Sequence, residues 1–106
     1  MGKYPRRKQR RLAAKLLQIR LALDLSQNQI LRYLRLDEEF TRTNISNYEL
    51  DQREPPLYVL LQYARIAGVC LDVLVDDDID LPKVLPSTPA HRGARLAAVK
   101  RRKPKR

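Results

Sequence analysis

A chain of 106 residues has room for one small hydrophobic core and no second domain. Its formal charge of +10 sits at the ends: residues 1–11 hold six Lys or Arg and no acid, residues 83–106 hold nine and none, and residues 12–82 hold seven bases against twelve acids. Total charge therefore argues for a polyanionic partner only through the tails, while a single cysteine (Cys70) and a single histidine (His91) exclude an internal disulfide and a zinc-type ligand set.

No apolar run reaches membrane-spanning length, and the basic N-terminus is not followed by the apolar region of a signal peptide, so a cytoplasmic protein is expected. Three glycines form no phosphate-cradling loop, and no nucleophile stands with a base and an oxyanion site. The expectation is a protein that is not an enzyme, with no cofactor, no metal and no small-molecule ligand.

Residues 1–9, with Lys3, Arg6, Arg7 and Lys8 around Pro5, offer nothing to bury and read as a basic arm. Such an arm either follows a phosphate backbone or minor groove, or is a solvated terminus. From Arg10 to Leu23 the residues Leu12, Leu16, Ile19 and Leu23 recur at helical spacing, with Leu17, Leu21 and Ala22 widening the stripe. Arg20, at the edge of that apolar face, requires a partner. Ser26 with Gln29 three residues on is a capping box that opens a second helix, which buries Ile30, Leu31 and Leu34. Gln27, in its first turn, is placed either to meet a phosphate or to be an ordinary exposed residue of a capped helix.

Arg35 to Phe40 is a long turn whose Asp37, Glu38 and Glu39 would repel phosphates if they faced DNA, and whose Phe40 is expected to tuck onto the core. Thr41 caps a third helix over about 42–50, with Ile45 and Tyr48 facing inward. Arg42, Thr43, Ser46 and Asn47 share the outward side. Arg suits guanine acceptors, Asn suits adenine and a Thr methyl suits thymine, although polar residues on an amphipathic helix also make a plain solvated face.

Pro55 and Pro56 lead into a fourth helix over 57–67, stopped by Gly68, and a short fifth helix over 71–75. Asp76 to Asp78 read as a solvated acidic turn rather than a cation site, for want of glycine spacing and further ligands. Ile79, Leu81, Val84 and Leu85 either pack back on the domain or form a dimer contact. Beyond Pro86 the composition turns to Pro, Ala, Lys and Arg, which cannot build a core: a DNA clamp or a solubilising tail. The division is a basic arm at 1–9, a helical domain at 10–82 and a basic flexible tail at 83–106.

Arg20, Leu25-Ser26-Gln27, Leu34, Ile45-Ser46-Asn47-Tyr48-Glu49, Arg53-Glu54-Pro55-Pro56, Leu60, Ala64, Gly68-Val69 and Leu74 together resemble the phage-repressor and Cro-like helix-turn-helix regulators of the xenobiotic-response-element type, over residues 12–76. The resemblance implies an all-α, compact five-helix domain whose third helix reads the major groove of double-stranded DNA. It implies base contacts from Arg42, Thr43 and Asn47 with Ser46 nearby, phosphate contacts from Gln27, Gln52 and Arg53, and a buried structural ion pair between Arg20 and Glu49.

The chain departs from that pattern at Arg35 and at Leu50-Asp51, where the family commonly has glycine, and in a turn before Thr41 about four residues longer than usual. The expected function is sequence-specific DNA binding and transcriptional regulation, with a homodimer on a palindrome as one arrangement. The alternatives are an antitoxin-like or other protein-interaction module, and non-specific DNA binding driven by the tails.

Overall fold

Among the described residues, leucine spacing and local capping chemistry make five helices and no strand: α1 (Leu12–Ala22), α2 (Gln27–Tyr33), α3 (Arg42–Glu49), α4 (Leu57–Ala67) and α5 (Leu71–Val75). The structure is a computed structural model that describes residues 8–87. The expectations for residues 1–7 of the basic arm and 88–106 of the tail lie outside the described residues.

Every helix sends apolar side chains into one core. Leu16 and Ile19 of α1, Ile30 of α2, Ile45 of α3, Val59 and Tyr63 of α4 and Leu74 of α5 are fully buried together, and Leu34 joins them from the end of α2. Burial of such side chains is the main favourable term in folding, at roughly 1.5 to 3 kcal/mol for each. The Tyr63 hydroxyl is buried with no hydrogen-bond partner among the described residues, and that burial pushes its ionisation well above the ordinary phenol range.

On α1 the apolar stripe is narrower than its leucines suggest, since Leu21 is 60 % exposed and Ala22 is exposed. The space beside Leu12 and Leu16 goes instead to Lys15, only 2 % exposed. Its ammonium donates to the Val73 carbonyl at 2.7 Å and the Asp76 carbonyl at 2.8 Å, two acceptors that the C-terminal end of α5 leaves without intrahelical partners. Burial first, and then Arg11, lowers the Lys15 pKa, while Asp77, Asp76 and Asp80 oppose that shift.

The acidic turn after α5 is more than the solvated feature expected. Asp77 Oδ1 accepts from the backbone N–H groups of Arg10 (3.1 Å) and Arg11 (3.0 Å), so a carboxylate from the far end of the fold caps the start of α1. Asp80 pairs with the Arg11 guanidinium, and Asp76 Oδ1 accepts from the Asp78 N–H at 2.9 Å. The segment beyond packs back on the domain: Leu81 and Leu85 are buried, while Val84 is 71 % exposed.

The helix ends share one device. After each of α1 to α4 the chain enters a left-handed residue, Asp24 (φ 60°), Arg35 (φ 61°), Asp51 (φ 62°) and Gly68 (φ 77°). The next residue donates its N–H back five positions: Leu25 to Arg20, Leu36 to Leu31, Gln52 to Asn47 and Val69 to Ala64, at 2.8 to 3.1 Å. These are Schellman closures, and three of the four place a non-glycine residue where glycine is cheapest. At Gly68 a second constraint applies, because an added Cβ would lie 3.0 Å from the Ser87 nitrogen.

The long turn before α3 is held by the same closure. Leu36, the residue after Arg35, is buried, and its carbonyl accepts from the N–H groups of Glu39 (3.0 Å) and Phe40 (2.8 Å). Phe40 packs partly against the core and tilts on Tyr58 of α4, ring centroids 6.3 Å apart. The extra residues make a compact turn rather than extending α2.

Candidate nucleic-acid interface

α3 begins at Thr41, whose N–H donates to Asn44 Oδ1 at 2.8 Å, so Asn44 serves the helix start rather than a ligand. Ile45 and Tyr48 fix the inner face, being fully buried and 5 % exposed respectively. The other side follows from helical geometry: positions 42, 43, 46 and 47 share a face. Arg42 and Thr43 are exposed, and Ser46 and Asn47 are half-buried. Gln52 and Arg53 are exposed just past the helix. Burial raises the Tyr48 phenol, and nearby Arg53 pulls it the other way.

Glu49 joins three helices. Arg20 of α1 grips it as a fork, Nε to Oε2 at 2.7 Å and an Nη to Oε1 at 3.1 Å, with the Glu49 side chain only 5 % exposed. The same guanidinium donates to the Leu25 carbonyl at 3.0 Å, and the hydrogen bond to Glu49 raises the Arg20 pKa further above its already high value. Gln27 of α2 donates its side-chain amide to Glu49 Oε1 at 3.0 Å. The sequence leaves Gln27 as either a phosphate contact or an ordinary residue of a capped helix; in the structure its amide gives one N–H to a carboxylate, because Glu49 has a lone pair left over from the Arg20 fork. This hydrogen bond had no signal in the sequence.

α2 itself starts with the expected box: Gln29 N–H to Ser26 Oγ at 3.0 Å and Ser26 N–H to Gln29 Oε1 at 2.8 Å. Of the three acids in the turn between α2 and α3, Asp37 and Glu38 are exposed, and Glu39 accepts from the Tyr58 hydroxyl on α4. That bond raises the Tyr58 phenol. At the other end of α3, Lys8 pairs with Asp51 at 3.1 Å, and Lys8, Gln9, Tyr48, Asp51 and Arg53 line one crevice. Among the described residues no cluster of His, Cys, Asp or Glu is arranged to hold a metal ion, and no helix is long and apolar enough to cross a membrane.

The chain matches no protein-family model, no curated protein and no solved structure. The functional reading therefore rests on the residues themselves. What the arrangement offers chemically is a helix of eight residues anchored on one side by Ile45, Tyr48 and the Glu49 fork, presenting hydrogen-bonding side chains on the other, with Gln52 and Arg53 at its end.

Proposed function

We propose that this protein binds double-stranded DNA in a sequence-dependent manner and regulates transcription, with α2 and α3 as a helix-turn-helix and α3 in the major groove. It acts as a binding protein rather than an enzyme, in the cytoplasm, with residues 10–82 as the DNA-binding domain between a basic arm and a basic tail. The observation that carries the reading is the two-sidedness of α3: Ile45 and Tyr48 are buried, while Arg42 and Thr43 stand in solvent beside Ser46 and Asn47. Those side chains have the donors and acceptors that base edges demand. The resemblance to phage-repressor and Cro-like regulators supports the same assignment, with Gln52 and Arg53 holding the backbone. Gln27 can join them while keeping Glu49, because its amide has a second N–H beyond the one that Glu49 accepts.

The test is substitution of Arg42 or Asn47 by Ala, followed by binding to duplexes that differ at single base pairs. Each change is expected to cost about 1 to 3 kcal/mol at one base position and to relax preference there. Binding that persists with preference unaltered in both variants would remove α3 from its role as reader.

A second reading, a protein-interaction module, draws on the exposed Leu57 (75 %), Tyr58 and Leu61 at the start of α4. A small protein that co-purifies tightly and covers α4 would favour it. Non-specific binding driven by the tails predicts instead that Arg42 and Asn47 are dispensable and that salt abolishes affinity for all sequences alike.

A further inference from the structure

We propose that a second copy of this chain docks on the exposed face of α4, the two helices packing antiparallel about a two-fold axis at Leu61. The inference is independent of the DNA reading. One side of α4 is taken up by the core, through Val59, Leu60, Tyr63, Ala64 and Ala67. Its other side is not polar, since Leu57 is 75 % exposed and Tyr58 and Leu61 stand exposed beside it. Large apolar side chains grouped on one helix face mark a contact surface. The 79–85 segment, which the sequence offers as a dimer contact, gives Leu81 and Leu85 to its own core instead.

The charge on this face selects the occupant. Arg65 is the only charged residue in α4 and stands exposed toward its C-terminal end, where it donates to Gln62 Oε1 at 3.2 Å. The N-terminal end carries an acid, because the exposed Glu39 accepts from the Tyr58 hydroxyl. At about 100° per residue, positions 57, 61 and 65 form one line along the helix, and Tyr58 lies on the flank that Arg65 approaches. A face with an acid at one end and a base at the other complements itself when the second copy runs in the opposite direction. Leu61 then meets Leu61 of the other copy. Each Arg65 reaches the other copy's Tyr58 ring and Glu39 carboxylate, so a cation–π contact and an ion pair form twice. Leu57 to Arg65 is about 12 Å of helix. That contact is smaller than the roughly 800 Å² per partner of a standard interface, so the dimer is weak and concentration-dependent.

The experiment is sedimentation equilibrium of the full chain, without DNA, at up to about 1 mM protein, with the helical content of each variant checked by circular dichroism. Expected is a monomer–dimer equilibrium. Leu61→Glu sets like charges on the axis, and Arg65→Glu or Glu39→Arg sets them at both ends of the contact. Each is expected to weaken the dimer about tenfold or more. Mixed in equal amounts, the Arg65→Glu and Glu39→Arg chains should regain association as a heterodimer, since every 39–65 contact between them then joins opposite charges. A chain that stays monomeric at every concentration would overturn the proposal, as would a folded Leu61→Glu variant that dimerises as well as the unaltered chain. Failure of the two charge variants to regain association on mixing would overturn the antiparallel pairing.

Discussion

Glu49 cannot be altered without consequence at three helices, because its nearly buried carboxylate answers the Arg20 fork and the Gln27 amide together. Removing Arg20 leaves that charge without its main partner. Arg20→Met is expected to lower unfolding free energy by about 3 to 5 kcal/mol in denaturant titration, and the double variant Arg20→Met/Glu49→Met to recover most of that loss. A single-variant cost below about 1 kcal/mol would show that the pair is solvated rather than structural.

Arg35 is a smaller case of the same kind. Its left-handed backbone costs a non-glycine residue about 1 to 2 kcal/mol, offset in part by the greater chain entropy glycine loses on folding. Arg35→Gly is expected to raise stability by about 0.5 to 1 kcal/mol, read as a higher denaturant midpoint at unchanged slope. A lowered midpoint would mean the Arg35 side chain does more than the backbone analysis credits. Residue-scale legibility divided along these lines: Ser26 with Gln29 could be read because both partners are local. Asp51 reads from the sequence as a helix stop, together with the two prolines, but the left-handed backbone at Asp24, Arg35 and Asp51 does not, because no glycine marks it.

At the scale of elements, α1 is tied at its beginning and middle to the segment 76–80. Asp77 caps its N-terminus, Asp80 pairs with Arg11, and Lys15 crosses to the carbonyls at the end of α5. Sequence reading places these helices by leucine spacing and sees neither Lys15 nor Asp77, since a long-range cap leaves no periodic trace.

The ties also set a pH dependence. The backbone N–H groups of Arg10 and Arg11 hold Asp77 below the ordinary carboxylate range, and the hydrogen bond from Arg11 does the same for Asp80. Carboxylates with lowered folded values contribute stability that is present above the ordinary pKa of 3.8 and lost as pH falls through the folded value. Asp77→Asn should therefore lower the thermal midpoint at neutral pH, with the gap to the unaltered protein closing below about pH 4. A gap that stays constant on acidification would separate Asp77 from acid sensitivity.

For the whole molecule, the five-helix all-α architecture was legible because leucine periodicity and turn chemistry agreed along most of the chain. The 79–85 segment was legible as apolar but not as to what it covers; Leu81 and Leu85 go to the core of the same chain. The candidate interface was legible as a helix face, from Arg42 and Thr43 opposite Ile45 and Tyr48. Its depth was not, since helical spacing does not say how far neighbouring chain covers Ser46 and Asn47, which are half-buried.

Charge is divided in the same way, an acidic helical body between basic ends. On the DNA reading the ends supply salt-dependent affinity while α3 supplies choice of sequence. Selection of bound duplexes from a random pool tests that division most directly. The account predicts that a short common sequence emerges and that Asn47→Ala changes it at one position, with a palindrome if the protein acts as a dimer. Recovery of duplexes with no shared sequence, held only at low salt, would contradict it.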